Sequence, residues 1–285
     1  MNTKSKLNLV RARDLNNRKL EKISSEIRKK IVSYSNYAGI PHLGSCLSLV
    51  DILVSLYFDV CNINGSEPRD ENRDRIVLSK GHGAPALFQI LAAKGFYPEA
   101  WLFRPNHGGG LFGEHPPTPA HLPGIEAATG SLGHGLPMAL GMALSGKIKG
   151  LDFHNFVICG DGECNEGSIW ESLLFASANC LSNLTVIVDY NGWQATGRSD
   201  DILDISPLDK KFESFGFQTT VIDGHNIAIL REVLQKAKNS SSPTAVIAKT
   251  IKGKGVSFME DDNNWHYRTP NAEELVLALE ELDIS

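Results

Sequence analysis

The chain has 285 residues, 42% of them hydrophobic, which is enough for a buried core in one large α/β domain or two small ones. Its formal net charge of −5, with acidic and basic residues interspersed, argues against nucleic acid and membrane surfaces as partners and favours small molecules or proteins. Five cysteines without a disulfide-dense spacing, and charged residues where a signal peptide would have its apolar run, argue against secretion and predict a cytoplasmic location.

The N-terminal region divides into two parts. Residues 1–15 are polar and basic without a clear period, which predicts a flexible arm. Apolar residues at helical spacing then run from Leu20 to Ile31 and begin the ordered region. We therefore treat residues 16–285 as a single α/β domain.

Short β-like runs alternate with helical segments along this domain. Runs rich in β-branched residues predict five strands, at 75–79, 154–159, 184–189, 217–223 and 244–251. Segments with helical spacing predict helices at 84–95, 168–180 and 226–239. This alternation indicates an α/β fold with a doubly wound, mostly parallel sheet flanked by helices. Because ligands of such sheets collect at the carboxyl ends of the strands, the turns that follow strands are the expected site.

Two of these turns carry residues suited to a metal-bound diphosphate. Gly160, Asp161 and Gly162 follow the strand at 154–159 and lead into a helix, a geometry in which main-chain N–H groups meet a phosphate. Asn191 holds the equivalent place after the next strand. Two oxygen ligands from adjacent strand ends suit Mg²⁺ or Ca²⁺, although a Gly-Asp-Gly turn alone is more often ordinary turn chemistry.

Histidines lie in several turns, most of them flanked by Gly or Pro. They are His42 in GIPHLGS, His82 in SKGHGAP, His115 in GEHPP and His266 in NWHYRTP. His115 belongs to a Gly-, Pro- and His-rich interval, roughly 100–130, whose length predicts a functional or disordered loop. A single loop histidine is more often structural than catalytic, so the set rather than any one member indicates chemistry.

These motifs, taken in order, resemble those of transketolase. The resemblance covers about residues 20–272 and rests on IPHLGS, LSKGHGAPALF, EHPP, LPGIEAATGSLGHGLPMALGMAL, GDGECNEGSIWE, DYNG and KGKGVSFMED followed by WH. It is closest to the N-terminal section of the transketolases that are split into two polypeptides. The resemblance implies a thiamine-diphosphate-binding fold and the transfer of a two-carbon ketol unit from a ketose or ketose phosphate donor to an aldose acceptor.

The resemblance also implies the ligands of the cofactor and the metal. Asp161, the side chain of Asn191 and the main-chain oxygen of Trp193 would hold Mg²⁺ or Ca²⁺. The amide of Gly162 would face a phosphate oxygen of thiamine diphosphate. Further cofactor-binding residues implied in this way are Leu132, Gly133 and Gly160, together with Glu166, His82 and His266.

By the same resemblance the histidines share the contacts to the sugar. His42 and His266 would contact the donor carbonyl or its developing alkoxide, and His115 would hold the terminal hydroxyl of the substrate. His82 would lie beside the diphosphate and the reacting centre. Imidazole suits these roles because ketol transfer needs neutral donors and acceptors near pH 7.

Other charged residues near these motifs have two interpretations each. Glu166 and Glu171 begin the helix after the GDG turn, where acids are commonly helix-dipole partners. In the family, matching acids form part of a link between paired active sites at the subunit boundary. The KGKG segment that begins at Lys252 lacks P-loop spacing. Its lysines belong either to a mobile loop over the site, as the resemblance implies, or to a solvated surface.

The resemblance implies a second polypeptide. In transketolases the glutamate that activates the cofactor and the aromatic wall of the pyrimidine pocket come from a second α/β domain. We therefore expect the partner to be a C-terminal transketolase subunit, with two copies of each chain because the family's active sites come in symmetric pairs. Exposed apolar residues near 131–145 and 168–180 would then form the interface.

Departures from the family pattern bear on the substrate, and two other classes stay open. Trp193 and Gln194 give the metal loop unusual bulk, and Tyr267 stands where a small Gly is usual, so the ketose need not be a common pentose or hexose phosphate. One alternative is the α subunit of a thiamine-dependent 2-oxoacid dehydrogenase, in which IPHLGS, KGHG and WH are not expected together. The other is a non-catalytic regulatory subunit that binds thiamine diphosphate, against which the intact Asp161 and Asn191 argue.

Overall fold

A five-stranded parallel sheet forms the centre of the described chain, which in this computed structural model comprises residues 3–103 and 112–284, with side chains from residue 14 onward. The strands are β1 Arg75–Leu78, β2 Asn155–Gly160, β3 Leu184–Tyr190, β4 Gln218–Asp223 and β5 Thr244–Lys249. Their order across the sheet is β1-β2-β3-β5-β4, and every neighbouring pair is parallel. All five predicted strands are present, and the predicted parallel α/β sheet is confirmed.

Ten α-helices connect and flank the strands within the described residues. They are α1 Thr3–Ala38, α2 Leu43–Ser48, α3 Val50–Ser55, α4 Ala84–Ala93, α5 Gly135–Lys149, α6 Gly167–Ala178, α7 Ser199–Leu203, α8 Leu208–Ser214, α9 Ile227–Lys238 and α10 Ala272–Ile284. The three helices predicted between strands correspond to α4, α6 and α9, and the predicted helical stripe from Leu20 to Ile31 lies in α1. None of the described helices has both the length and the apolar character that crossing a membrane requires.

Successive strand residues face two separate hydrophobic cores. Side chains alternate across a strand, so Ile76 and Phe156 pack into the core shared with α1, α3, α4, α9 and α10. Val77 and Val157 point the other way, into the core shared with α5, α6 and α8. Helices therefore cover both faces of the sheet, as the doubly wound prediction requires. Because both faces are buried at β1, β2, β3 and β5, the ends of these strands are the places open to ligands, whereas the edge strand β4 is largely exposed.

The first helix begins earlier than the sequence predicts. Helical backbone starts at Thr3 and continues through most of the segment 1–15 that is predicted to be a flexible arm. The residues of that segment lack an apolar stripe, but Lys, Leu, Arg and Ala have high helix propensity. Leu20 and Ile31, which mark the predicted stripe, are buried in the core. The flexibility of the segment stays a prediction.

Candidate active site

One cavity of about 360 Å³ opens at the carboxyl ends of β1, β2 and β3. The KGHG turn after β1, the GDG turn after β2 and the turn after β3 all contribute to it. Loops that precede α2, α5 and α10 complete the wall. The predicted site residues that line the cavity are His42, His82, His115, Leu132, Gly160, Asp161, Gly162, Asn191, Trp193 and His266.

Asp161 is buried at the end of β2, where hydrogen-bond donors hold its carboxylate. Its Oδ2 accepts hydrogen bonds from the main-chain N–H of Gly192 at 2.9 Å and the hydroxyl of Ser199 at 2.8 Å. Burial raises the pKa of Asp161 to about 6, and nearby Asp189 adds to the rise, although the Ser199 hydrogen bond opposes it. A carboxylate whose charged form is disfavoured in this way is one that a bound cation would stabilise.

Asn191 and Trp193 lie opposite Asp161 on the neighbouring turn. The Oδ1 of Asn191 accepts a hydrogen bond from the main-chain N–H of Trp193 at 3.0 Å, which fixes the turn. In the described ranges, 3–103 and 112–284, no three His, Cys, Asp or Glu side chains converge on a common metal position. The predicted set needs only one carboxylate, an amide oxygen and a main-chain oxygen, which are the hard ligands that Mg²⁺ and Ca²⁺ prefer.

Glycines bring side chains unusually close to the main chain at this site. A Cβ on Gly162 would lie 2.6 Å from Cγ of Gln194, and a Cβ on Gly130 would lie 2.6 Å from Cδ2 of His115. Within the described part of the chain, the buried Nε2 of Gln194 and Nδ1 of His42 have no hydrogen-bond partner. The unpartnered amide donor of Gln194, beside a glycine turn and a buried carboxylate, fits an anionic group that arrives with a cation, such as thiamine diphosphate with its metal.

The four predicted histidines form one cluster. Ring centroids are 4.8 Å apart for His42 and His266, 5.5 Å for His42 and His82, and 6.0 Å for His82 and His266. The ring of His115 lies 6.2 Å from that of His42. Burial lowers the pKa of His82 to about 2, that of His266 to about 3, and that of His42 as well. These three imidazoles are therefore neutral at pH 7, and each offers one donor and one acceptor.

His42 is held in place by a left-handed backbone conformation. Its φ is 68° immediately before α2, a region that residues with a Cβ adopt at a cost and that is common at functional sites. The main-chain N–H of His42 donates to the carbonyl of His266 at 2.8 Å. The two histidines predicted to share the donor carbonyl are thus linked through their main chains.

Lys252 is buried, so its interpretation as a solvated surface charge is wrong. Its Nζ donates to Oδ1 of Asn263 at 2.6 Å and lies 3.1 Å from Nδ1 of His266. Burial lowers the pKa of Lys252 to about 8, and the nearby charge of Lys80 acts in the same direction. Its methylenes lie against Gly44, where a Cβ would come within 2.9 Å of Cγ of Lys252. The long-range contact with Gly44 is invisible in the KGKG sequence.

Glu163, which the sequence analysis missed, is a further buried acid of this region. Its Oε1 accepts hydrogen bonds from Ser79 and, at 2.8 Å, from the main-chain N–H of Gly133, and its Oε2 accepts from Gly160 at 3.1 Å. Glu163 therefore ties three turns together. Glu166, in contrast, is exposed and lies outside the cavity lining.

The structure also adds a buried ion pair beneath the cavity. Nζ of Lys80, a cavity-lining residue, lies 2.6 Å from Oδ2 of Asp189, and both side chains are almost completely buried. Ser48 donates to the same oxygen at 2.6 Å. Burial alone would raise the pKa of Asp189, but the Lys80 ammonium outweighs it and lowers that pKa. Lys80 lies within the histidine-bearing motif SKGHG, directly after a strand, and that position was its only signal in the sequence.

Trp193 forms an outer wall of the cavity. The Arg198 guanidinium stacks 3.8 Å from the centre of its ring, and Asp261 accepts hydrogen bonds from Nε1 of Trp193 at 2.7 Å and from Arg198 at 2.7 and 2.6 Å. Tyr267 is exposed, with its ring 4.8 Å from that of His266. All three residues identified as departures from the family pattern therefore lie at this site: Trp193 and Gln194 line the cavity, and Tyr267 lies beside His266.

Comparisons with known proteins identify the family to which the chain is similar. Residues 20–283 match the family described as transketolase, thiamine diphosphate binding domain. The chain is 42% identical to one of the subunits of apulose-4-phosphate transketolase from Actinobacillus succinogenes, over 92% of this chain and 95% of that protein. It is 38% identical to 6-deoxy-6-sulfo-D-fructose transketolase subunit SqwG of a Clostridium species, over 85% of this chain and 88% of that protein.

Single-chain relatives match over a smaller share of their length. Human transketolase is 37% identical over 87% of this chain but only 39% of the human protein. The crystal structure of transketolase from Campylobacter jejuni superimposes with a TM-score of 0.80 at 26% identity, covering 93% of this chain and 47% of that one. The chain therefore spans less than half of these longer proteins.

Proposed function

The chain belongs to the transketolase family, as an N-terminal subunit of the two-chain form, and from this premise we propose how it takes part in the reaction. It holds thiamine diphosphate and a divalent cation and, with a second chain, transfers a two-carbon ketol unit from a ketose or ketose phosphate to an aldose. When bound, thiamine diphosphate supplies the carbon nucleophile for this transfer. The observation that carries the proposal is the cavity in which the histidine cluster faces Asp161 and Asn191.

The strand-end turns hold the cofactor's anionic end. Asp161, the Asn191 side chain and the main-chain oxygen of Trp193 would bind Mg²⁺ or Ca²⁺, and the amide of Gly162 would donate to the diphosphate. The raised pKa of Asp161 supports a cation at this point. The unpartnered Nε2 of Gln194, which lies against Gly162, supports an acceptor such as a phosphate oxygen beside it.

The histidines act as neutral hydrogen-bonding groups toward the sugar. His42 and His266 would contact the donor carbonyl or its developing alkoxide, His115 would hold the terminal hydroxyl, and His82 would lie near the diphosphate. An ammonium only donates, so the contact from Lys252 makes Nδ1 of His266 an acceptor and leaves its proton on Nε2. His266 can therefore donate from Nε2 to an oxygen in the cavity without being protonated at pH 7.

A separate C-terminal transketolase subunit completes the site. The names of the relatives that this chain matches almost end to end support a partner chain. Three large apolar side chains, Met138 on α5 and Leu174 and Phe175 on α6, are exposed and fit an interface with it. Two copies of each chain would pair the active sites, and exposed Glu166 at the start of α6 would contribute to the link between them.

The substrate is a ketose with an anionic terminus. Two relatives are named for apulose-4-phosphate and 6-deoxy-6-sulfo-D-fructose, which carry a phosphate and a sulfonate. The bulky Trp193 and Tyr267 beside the histidine cluster support a donor different from the common pentose and hexose phosphates. These relatives do not favour the alternatives of a regulatory subunit or a 2-oxoacid dehydrogenase subunit. A cytoplasmic location is part of the proposal, supported by five free cysteines.

The test is a reconstitution with the co-purifying C-terminal subunit. With thiamine diphosphate and Mg²⁺ present, ketol transfer from hydroxypyruvate to a panel of aldoses is measured for this chain alone and for the mixture. We expect activity only in the mixture, and its loss in Asp161→Asn. Asp152→Asn is the matched control, because Asp152 is exposed at the opposite end of β2. Full activity of the isolated chain would contradict the two-chain proposal, and an inactive mixture that still binds the cofactor through Asp161 would contradict ketol transfer.

A further inference from the structure

We propose that His225 is a positioning residue that fixes the segment carrying Lys252 and thereby sets the tautomer of His266. His225 lies two residues beyond the end of β4 and outside the lining of the active-site cavity. The inference rests on the proposed function only where it assigns His266 to the reaction. The hydrogen bonds that carry it stand independently of that assignment.

The imidazole of His225 bridges a buried acid and a main-chain amide. Its Nδ1 lies 2.8 Å from Oδ2 of Asp51, and its Nε2 lies 2.8 Å from the main-chain nitrogen of Ile251. A main-chain N–H can only donate, so Nε2 accepts and the ring's proton lies on Nδ1, from which it is donated to Asp51. The ring therefore has one defined tautomer and one defined orientation.

Asp51 is itself fixed in the ionised state. It lies on α3 and receives two hydrogen bonds from the Arg28 guanidinium of α1, at 3.1 and 2.6 Å. Burial alone would raise the pKa of Asp51, but the Arg28 charge and the His225 hydrogen bond hold it well below its usual range. A buried, charge-paired carboxylate is a rigid anchor for the histidine.

The other end of the bridge enters the segment that contains Lys252. Ile251 is the second residue after β5, and its N–H would otherwise lack a partner from the sheet. Further along, Gly253 donates to the carbonyl of Gly44 at 3.0 Å, and Asp261 donates to the carbonyl of Lys252 at 2.8 Å. His225 is the side chain that holds the main-chain N–H of Ile251 at the entry to the segment. Asn263 accepts a hydrogen bond from Nζ of Lys252 itself, at 2.6 Å.

Lys252 links the position of this segment to the active site through a contact with His266. Its Nζ reaches Nδ1 of His266 at 3.1 Å, and the neutral ring consequently carries its proton on Nε2. A displacement of Lys252 by an ångström would break this contact, because a hydrogen bond weakens steeply beyond its normal distance. The two histidine tautomers are thus coupled through Ile251 and Lys252, although His225 lies outside the cavity.

The test is a ¹⁵N-histidine NMR measurement on the full chain, in which the ring nitrogen shifts report the tautomer. The signal of His266 is assigned by its loss in His266→Gln. We expect the wild type to carry the proton on Nε2 and Lys252→Met to lose that preference. His225→Leu should reproduce the Lys252→Met spectrum, whereas His225→Gln, which keeps an acceptor for the Ile251 N–H, should retain the wild-type tautomer.

A shorter polar variant and a kinetic measurement complete the design. His225→Asn cannot span the distance to Ile251 and should shift the tautomer even if His225→Leu does not fold. In the assembled two-chain enzyme it should lower kcat about tenfold with KM little changed, and His121→Asn, at an exposed histidine, should do neither. A wild-type His266 tautomer in folded His225→Asn would overturn the proposal. Because the NMR measurement needs no substrate, it tests the positioning role of His225 even if ketol transfer itself is not observed.

Discussion

Two buried carboxylates at neighbouring strand ends have opposite electrostatic surroundings. Asp189, within β3, is paired with the Lys80 ammonium at 2.6 Å and hydrogen-bonded by Ser48, and its pKa is lowered. Asp161, just after β2, has hydrogen bonds from Ser199 and a main-chain amide, and its pKa is raised to about 6. Both side chains are buried as deeply as much of the hydrophobic core. Burial alone therefore does not set the direction of the pKa shift of a carboxylate; the presence of a paired cation such as Lys80 does.

The difference predicts opposite contributions of the two acids to the stability of the cofactor-free chain. Folding favours the ionised form of Asp189, so its pair contributes to the stability of the empty protein. Folding disfavours the ionised form of Asp161, a cost that the proposed cation would offset. The same substitution at the two positions should therefore change stability in opposite directions.

The largest effect is expected at Asp189. Asp189→Asn leaves the Lys80 ammonium buried and unpaired, and we expect the free energy of unfolding to fall by about 3 to 5 kcal/mol. Urea unfolding at pH 7 measures the loss. The double variant Asp189→Leu with Lys80→Met removes both charges and should recover much of it. A single variant as stable as the wild type would show that Lys80 is solvated in solution.

Asp161→Asn should instead stabilise the cofactor-free chain. A pKa raised from 3.8 to about 6 corresponds to a cost of up to about 3 kcal/mol above pH 6. Because the folded pKa of this acid exceeds the unfolded one, the wild type loses this stability as pH rises from about 4 to 6. The variant should match the wild type at pH 4 and exceed it at pH 7. Urea unfolding across this pH range checks the sign, and a variant less stable at pH 7 would contradict it.

Divalent cations should remove the stability difference between the wild type and Asp161→Asn, because they should bind only the wild type of these two. At a hundred times the dissociation constant, a ligand of the folded state adds about 2.7 kcal/mol to the stability. We expect Mg²⁺ with thiamine diphosphate to raise the melting temperature of the wild type and of Asp152→Asn but not of Asp161→Asn. Equal shifts in all three proteins would place the cation elsewhere.

Much of the fold and the outline of the site follow from local sequence. The strand positions and the turns after them depend on β-branched runs and on glycine, which act over a few residues, so Asp161, Asn191 and the histidines could be placed on one edge. The strand order and the burial of Lys252 could not be predicted, because they depend on contacts between distant parts of the chain. Lys252, for example, packs against Gly44, which lies some two hundred residues earlier in the sequence. The burial of Glu163 also depends on such contacts, with Ser79 and Gly133, so the sequence motif alone points to Glu166 instead.

An exposed ion pair of the same length separates the effect of burial from that of distance. Arg198 and Asp261 are 2.6 Å apart, as Lys80 and Asp189 are, but both of their side chains are largely exposed. Exposed pairs contribute less than about 1 kcal/mol and weaken in salt, so Arg198→Gln should lower the free energy of unfolding by no more than that at low salt and less at high salt. Because Arg198 also stacks on Trp193 at the cavity wall, its substitution should affect the KM for the sugar more than the stability. A loss comparable to that of Asp189→Asn would mean that this pair is buried in solution, as it would be if the partner chain or a second copy covered the Trp193 wall.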